Sequence, residues 1–405
     1  MELRQVDIIR SPFSENRVRL AGTVAYDDST YQPEVYWFDV PKECAEYLTE
    51  TGNPWLALLT PLAATLGEPL RISKPVDGQL FQNVHELMLI WKRWHPHLKV
   101  VKVEAQLMNT KHLQSTPRTA SFFSGGVDSF FTVLRHSDGA DLPNRIKIDD
   151  LICVWGFDVP LSKSDEFNRM RDVLQKAASD LDKEFIDVAT NLFKTIWVKS
   201  QWGPLSHGSA LATIGLIFEK RYNRVLIPST HAYDNLMPNG SHPLTDPLHS
   251  TSWTKIIHDG AGFDRVEKTD FISNSEVALR SLKVCWEGHS DKNCQACNKC
   301  YRTMMTLLLL GVLSRYSTLS ESNFSIAKVK KIYSHSENDF TLLREVQVLA
   351  LRKGRRDIAR AIERGFKHSK RVSFGLRIAK WLNTKRFVWR WSKPLERRLL
   401  SKSLV

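Results

Sequence analysis

The stretch that decides the fold is Ser124-Gly125-Gly126-Val127-Asp128-Ser129. A short apolar run, residues 119–123, precedes it, and an amphipathic run, residues 127–135, follows it. This order predicts a strand, a glycine turn and the first turns of a helix. Two adjacent glycines allow a tight turn and a close approach of a ligand to the backbone, because neither carries a Cβ atom.

The predicted helix start favours binding of an anion, because its first amides are free and the helix dipole is positive there. Ser124 and Ser129 add hydroxyl groups, and Asp128 can cap the helix or help to hold a metal ion bound to phosphate. A Gly-Gly pair alone would indicate an ordinary turn, whereas the full string, with its two hydroxyls and its carboxylate, is more specific and favours an anion site. A Walker loop is excluded, because no Gly-Lys-Ser/Thr follows the glycines.

The basic charge of the chain is concentrated in its C-terminal part. The 405 residues have a net charge of +13 and are 42% hydrophobic, which suits two or three globular domains. Residues 324–405 contain 22 Lys and Arg and 6 Asp and Glu, so this tail carries +16 and the remainder −3. The tail therefore predicts a surface for nucleic acid or an anionic membrane, with a merely solvated basic face as the alternative.

The sequence predicts a cytoplasmic protein without a transmembrane segment. Charges occur too early for a secretory signal, and the longest apolar run, residues 304–313, is short against the roughly 20 residues that a span requires. Six cysteines in a long cytosolic chain indicate metal binding or catalysis rather than disulfides.

Alternating strand and helix patterns between residues 118 and 315 predict an α/β fold with a parallel sheet core. Strands are expected at 119–123, 151–155, 184–188 and 224–228, and helices at 127–135, 164–181 and 208–221. We predict three regions: an N-terminal α+β domain (1–116), a domain that contains the Ser-Gly-Gly string (117–316) and a basic helical region (317–405). Ligands of such sheets bind at the carboxyl ends of the strands.

Four cysteines in the pattern C-x8-C-x2-C-x2-C predict a metal site. Cys285, Cys294, Cys297 and Cys300 can close a tetrahedral shell of thiolates around zinc. An iron–sulfur cluster is the alternative, although no other feature suggests electron transfer. His289 could replace one thiol. Cys153 is expected in the core, and the metal is expected to be structural.

Together, the Ser-Gly-Gly-x-Asp-Ser string and the four-cysteine knuckle resemble the PP-loop ATP pyrophosphatases, in particular 7-cyano-7-deazaguanine synthase. The resemblance covers roughly residues 118–315. It implies a Rossmann-like fold of the adenine nucleotide alpha hydrolase (HUP) type, with ATP, Mg2+ and Zn2+. It also implies that residues 124–129 bind the pyrophosphate part of ATP, and that a carboxylate is adenylated before ammonia displaces AMP.

Further positions match the family more loosely. The resemblance places Gly156-Phe157-Asp158 and His207-Gly208-Ser209-Ala210 near the ligand and matches a family lysine at Lys268. Asp128 and Lys268 are therefore the candidate catalytic residues, which would neutralise the departing pyrophosphate. A solvated surface lysine is the alternative for Lys268. The polar segment 231–248 is a candidate substrate loop.

The resulting hypothesis is an ATP-dependent ligase that adenylates a carboxylate or amide of a small-molecule acid, such as a deazapurine, and transfers it to ammonia or an amine. No glutaminase signature accompanies the chain. A nucleotide-binding interaction protein and a tRNA-modifying enzyme that uses the basic tail are the alternatives. The sequence leaves the oligomeric state open, a homodimer included.

Overall fold

The computed structural model describes residues 1–109, 118–140, 145–285, 292–334 and 336–383, with side chains up to residue 379. The chain divides into two compact units. The first comprises Met1–Ser124 and Asp128–Gly262, and the second comprises Gly125–Val127 and the described residues from Phe263 onward.

A ten-stranded, mostly parallel sheet forms the centre of the first unit, in the order β10-β9-β6-β7-β8-β3-β2-β1-β4-β5. The α/β fold class predicted from the sequence is thereby confirmed. The strands are β1 (Glu2–Arg10), β2 (Arg17–Ala25), β3 (Glu34–Pro41), β4 (Leu70–Val76), β5 (Val103–Leu107), β6 (Arg118–Phe122), β7 (Asp150–Trp155), β8 (Glu184–Thr190), β9 (Tyr222–Pro228) and β10 (Lys255–Asp259).

Strands β6 to β10 pair in parallel with one another, so their carboxyl ends meet at one edge of the sheet. These strands are nearly continuous apolar runs because both of their faces are covered by helices. Ile152 belongs to the same core cluster as the helix that precedes β9, whereas Trp155 stacks on Phe167 of the helix that precedes β8, with ring centroids 4.9 Å apart. Residues 152 and 155 point to opposite faces of the strand.

The N-terminal strands join this same sheet through an antiparallel contact between β3 and β8, in which Phe38 faces Thr190 and Asp39 faces Ala189. An ion-pair network reinforces the short contact. The guanidinium of Arg17 donates to the buried Asp39 carboxylate (2.6 Å) on β3 and to Asp187 (2.7 Å) on β8. Strands on both sides of residue 116 therefore share one sheet, whereas the predicted domain boundaries at 116 and 316 stay predictions.

Among the described residues, the α-helices that accompany the sheet are α1 (Asn53–Leu66), α2 (Gly78–Trp94), α3 (Val127–Arg135), α4 (Ser164–Asp180) and α5 (His207–Ile217). The apolar periodicity of residues 79–94 predicts a helix with one buried face, and α2 buries that face from Leu80 through Trp91. Helix α1 is almost entirely buried, although Pro61 interrupts its hydrogen bonding. It packs against α5 and β4. Its burial compensates for the proline, because packing outweighs helix propensity.

The second unit is helical among the residues that the structure describes. Its helices are α6 (Arg265–Ile272), α7 (Glu276–Ser281), α8 (Asn298–Leu310), α9 (Ile326–Val329), α10 (Glu337–Arg352) and α11 (Arg356–Asn383). Helix α11 is continuous, whereas the sequence predicts two helices at 357–365 and 372–382. Across the described part of the chain, every helix is too short or too polar to cross a bilayer.

Candidate functional site

The Ser124–Ser129 loop, as we name residues 124–129, connects β6 to α3 at the carboxyl edge of the parallel strands. From β6 the chain proceeds to β7 and β8 on one side and then returns to β9 and β10 on the other side. The carboxyl end of β6 is therefore the point at which the strand order reverses. Open α/β sheets bind their ligands at such a switch point.

The backbone of this loop turns sharply at Gly125, which has a φ of 75°. A residue with a Cβ atom would be strained in this left-handed conformation, so the glycine is required. The turn is fixed on both sides, since the Phe123 amide donates to the Ile152 carbonyl (2.8 Å) and the Gly125 carbonyl accepts from the Lys283 amide (2.8 Å). Ser124 is exposed and Ser129 is buried. The loop thus has one well-defined turn with an accessible hydroxyl at its start.

Asp128 lies in the first turn of α3, at the helix end where the dipole is positive. Its Oδ2 accepts a hydrogen bond of 3.4 Å from the Thr230 hydroxyl, which follows the end of β9. The side chain is half-buried. The contact brings together the segments that follow two adjacent strands, which is the arrangement expected at the switch point.

Asp259, at the carboxyl end of β10, holds helix α3 in place. Its carboxylate accepts hydrogen bonds from the Thr132 hydroxyl (2.9 Å) and from Nε2 of His136 (3.0 Å). Nδ1 of His136 accepts from the Ile146 amide (3.1 Å), which assigns the proton to Nε2. Burial acts to raise the pKa of Asp259, but the hydrogen bond from His136 and the charge of Arg135 outweigh it and lower this pKa.

Gly156 shapes the neighbouring end of β7. Its φ is 107°, and a Cβ atom there would lie 2.1 Å from the carbonyl oxygen of Thr190. The following Phe157 packs against Trp202, with ring centroids 4.6 Å apart, and Trp202 lies 4.5 Å from the ring of His207. These ring contacts therefore connect two segments that the family resemblance assigns to ligand contact, Gly156–Asp158 and the start of α5.

A buried polar network supports the start of α5. Asp246, fully buried, accepts hydrogen bonds from the Ser241 hydroxyl (2.7 Å) and the His242 amide (3.2 Å), and its Oδ2 lies 2.8 Å from Nδ1 of His258. Gly208 packs so closely on this carboxylate that a Cβ atom would lie 2.2 Å from it. The part of the candidate substrate loop 231–248 from Ser241 to Asp246 is thus held by hydrogen bonds, while Tyr233 and Leu244 are exposed.

Two histidines near this network are neutral at physiological pH. Burial lowers the pKa of His249 to about 4, and its Nε2 lies 3.1 Å from the Ser209 hydroxyl. Burial and the nearby His258 also lower the pKa of His242. Uncharged rings suit a packed framework, because a buried imidazolium would need a paired anion.

Lys268 lies in α6 and is completely buried. The alternative of a solvated surface lysine is therefore wrong, because a buried ammonium is not hydrated by bulk water and requires polar partners. Its helix begins with a capping box formed by Asp264 and Glu267. Lys268 and Asp128 belong to different compact units, and a shared role for them stays a prediction.

The four cysteines of the predicted knuckle come together in the second unit. All four sulfur atoms lie within 4.8 Å of one another. The Sγ atoms of Cys285 and Cys297 are 3.6 Å apart, and those of Cys294 and Cys300 are 3.8 Å apart. Four thiolates around zinc at about 2.3 Å require sulfur separations of about 3.8 Å. The cluster can therefore hold a metal ion such as zinc, whereas His289 lies outside the described residues.

The backbone around the cysteines is arranged for a tight metal knuckle. Gln295, between the second and third cysteines, has a φ of 55°, and the Cys297 amide donates to Sγ of Cys294 (3.3 Å). Oδ1 of Asn293 accepts from the amides of Val284 (2.8 Å) and Cys285 (3.3 Å). Hydrogen bonds from the Cys297 and Cys300 thiols lower the pKa of Cys285. This thiol is thus prepared to ionise, as a metal ligand must.

The remaining cysteines lie apart from this cluster. Cys153 is buried in β7, as expected for a core residue, and burial raises the pKa of Cys44 to about 12. A thiol with so high a pKa is a poor nucleophile. In the tail, Arg352, Lys353, Arg356, Arg360 and Arg364 are exposed. The sequence also offers Trp389 and Trp391 of the tail as groups that could stack on bases or lie at a membrane surface, and both lie outside the described residues.

Sequence reasoning missed the residues that hold the loop in place. Thr230, His136 and Asp259 belong to no recognised motif, and β10 was not predicted. An acid followed by glycine at the end of a short apolar run, as in Asp259-Gly260, was the available signal.

The fold and site define an α/β protein with a glycine turn at the switch point of its sheet and a four-cysteine cluster. In comparisons with known proteins, no protein-family model, curated protein or solved structure matches this chain.

Proposed function

We propose that this chain is a PP-loop enzyme with a Rossmann-like core of the HUP type. It adenylates a carboxylate or amide of a small-molecule acid with ATP, releases pyrophosphate, and transfers the activated group to ammonia or an amine. The observation that supports this function is the position of the Ser124–Ser129 loop at the switch point, with Gly125 in the left-handed conformation.

The loop suits the binding of a pyrophosphate group. The first amides of α3 and its dipole favour the negative charge of the β- and γ-phosphates, and the exposed Ser124 hydroxyl can donate to their oxygens. The resemblance assigns the buried Ser129 to the same group. Held in this way, pyrophosphate is the leaving group, and the α-phosphorus is left open to the oxygen of the acid. AMP then serves as the leaving group for the amine, so the enzyme needs no covalent nucleophile.

Charge neutralisation is the second requirement of this reaction. The Asp128 carboxylate would help to hold a magnesium ion, which supplies positive charge to the phosphates. The family resemblance assigns the cationic role to Lys268, which is completely buried in α6. The hydrogen bond from Thr230 would orient the Asp128 side chain in the absence of nucleotide.

Zinc at the four cysteines would have a structural role. Four protein ligands fill a tetrahedral shell and leave no open position for a substrate. The ion would connect the segment after α7, through Cys285, with the first turn of α8, through Cys300. The adenylation chemistry therefore belongs to the loop and not to the metal cluster.

The test measures products when the full chain is incubated with ATP, magnesium, ammonium and a panel of carboxylic acids that includes deazapurine acids. We expect AMP and pyrophosphate in equal amounts with a suitable acid. Asp128→Asn should reduce their release by about 100-fold. The matched control is Asp138→Asn, a fully exposed acid, which should stay within about twofold of the wild type. Formation of ADP and phosphate, or an unaffected Asp128→Asn enzyme, would contradict the proposal.

A further inference from the structure

One face of α11 carries a row of exposed cations. Most of them are three or four residues apart, and all of them lie on the same side of the helix, over a length of about 30 Å. Between residues 356 and 379, two exposed acids accompany them, Asp357, which is paired with Arg355, and Glu363. The exposed cations are Arg356, Arg360, Arg364, Lys367, Lys370, Arg371 and Arg377.

The opposite face of α11 is buried against its own unit. Ile358, Ile362 and Val372 are each at most 3% exposed, and the helix packs on α10 and α9. Ser369 fixes the helix, because its hydroxyl donates to the Ile332 carbonyl (3.0 Å) and accepts from the Ser334 amide (3.1 Å). The apolar side of α11 is therefore occupied, and a partner meets the basic side.

A groove of about 740 Å³ lies next to the basic row. Three aromatic side chains, Tyr333, Phe340 and Phe374, line it together with Lys370 and Arg377. Phe374 is 61% exposed, although it sits among cations. The groove has the volume of a small-ligand pocket, for which roughly 300–1,000 Å³ is typical. Of the three rings, that of Phe374 is exposed and offers a stacking surface beside positive charge, whereas Tyr333 is buried.

Glu337 also lines this groove and restricts what can enter it. A phosphate inside the groove would be repelled by the carboxylate, whereas a base can donate to the carboxylate through an amino group. Phosphates would instead lie along the cations of the exposed row. The arrangement therefore separates a position for a base from positions for phosphates.

We propose that this surface, the exposed row of α11 and the adjacent aromatic groove, binds single-stranded nucleic acid. Non-specific single-strand sites combine a basic track for the backbone with aromatic rings on which bases stack. A membrane-surface helix needs a broad free apolar face to insert, whereas the apolar face of α11 is buried and its exposed side presents Phe374 and Ile378 singly among cations. A duplex would meet the cations but would keep its bases stacked internally, away from Phe374.

The main test is fluorescence anisotropy of the full chain with a short labelled oligoadenylate, as RNA and as DNA, over a range of salt concentrations. Both strands should bind within about threefold of each other, because the phosphates and the stacking bases are common to them. The triple variant Arg360→Gln, Arg364→Gln, Arg371→Gln should bind more weakly, and its salt slope should be smaller by about two, at roughly 0.7 per phosphate contact.

The control triple variant is Lys42→Gln, Lys220→Gln, Lys255→Gln, which removes the same charge from exposed positions elsewhere. It should keep the wild-type salt slope. Phe374→Ala should weaken binding about tenfold with an unchanged salt slope, because stacking and not charge is lost. Since the surface does not include the Ser124–Ser129 loop, Asp128→Asn should bind the strand normally.

Three results would overturn the proposal. One is the absence of oligonucleotide binding. The second is equal loss of affinity in both triple variants, which would indicate net charge alone. The third is tighter binding to duplex, or to vesicles of phosphatidylserine and phosphatidylcholine, than to the single strand, since neither partner would use the groove.

Discussion

Nε2 of His136 lies 3.0 Å from Oδ1 of Asp259. The two residues come from the end of α3 and the end of β10, and their contact fixes the helix whose first turn follows the glycine loop. The candidate phosphate site is therefore supported from its far end by a buried, charge-assisted hydrogen bond, of a kind that contributes about 1.5–3 kcal/mol.

Asp259→Asn should lower the free energy of unfolding by about 2 kcal/mol at neutral pH. The reason is that the asparagine side chain lacks the negative charge that accepts these hydrogen bonds. Its NH2 group would also point one donor at the donor of Thr132 or His136. Urea denaturation checks this, with the exposed Asp172→Asn as a control that stays near the wild type. Because the pKa of Asp259 is lowered in the folded state, its stabilisation is present above the unfolded pKa, about 4, and is lost as the pH falls through the folded value. A deficit that grows on acidification would contradict this assignment.

Gly125→Ala should weaken ATP binding by at least tenfold, because the new Cβ atom distorts a turn with positive φ. Isothermal titration calorimetry measures the affinity. Gly139→Ala is the matched control, since Gly139 has a φ of 85° and open space around its Cβ position. Both variants pay a similar backbone strain, of about 1 kcal/mol. Equal ATP affinity in the two variants would show that the loop does not contact the nucleotide.

Elemental analysis of the purified chain should give about one zinc per molecule. Cys297→Ser should lose this metal and melt at a lower temperature, because the binding energy of structural zinc is part of the folding energy. Cys153→Ala, a change of a buried cysteine outside the cluster, should retain the metal. Iron with visible absorption in place of zinc would select the iron–sulfur alternative, and no metal at all would leave the cluster as free thiols.

Glu345→Gln should stabilise the protein at pH 8 by about 2 kcal/mol and have little effect at pH 5. Burial, together with the negative charge of Asp264, raises the pKa of Glu345 to about 7. The stability that the protonated carboxyl contributes is complete below the unfolded pKa of about 4.3 and is lost as the pH rises through 7. In the wild type, the backbone amide of Arg265 donates to Oε2 of Glu345 (3.1 Å). The side-chain carbonyl of the glutamine can accept the same hydrogen bond.

Thermal melts at the two pH values check this difference. Glu363→Gln, a surface change on α11, serves as the control and should show no such pH dependence. A Glu345→Gln variant that is less stable than the wild type at pH 8 would contradict the prediction that the ionised Glu345 carboxylate destabilises the folded protein at this pH.

The parallel part of the sheet could be predicted from the sequence because its strands are continuous apolar runs separated by helical patterns. The β3–β8 contact could not, since it joins residues about 150 positions apart and is stabilised by Arg17, which no local pattern identifies. Helix α1 carries Pro54 and Pro61, which argue locally against a helix and are outweighed by burial. Tertiary packing decided both cases.

The tail illustrates how one residue can mislead a periodicity argument. Ser369 occupies the buried face of α11, so the apolar pattern stops there and indicates two helices. The hydroxyl instead satisfies the backbone at Ile332 and Ser334, which lets the helix continue. In the site, the cysteine spacing predicted the cluster because all of its ligands are close in sequence. The residues that hold α3, Thr230 and Asp259, lie far from this helix in sequence, so no local pattern could predict their contacts with it.

The central claim is that the Ser124–Ser129 loop holds the β- and γ-phosphates of ATP, and competition binding tests it most directly. A fluorescent ATP analogue bound to the full chain should be displaced by inorganic pyrophosphate and by ATP, and AMP should displace it far less effectively. The Gly125→Ala variant should lose the competition by pyrophosphate. Displacement by AMP as effective as that by ATP, with no effect of pyrophosphate, would contradict the account.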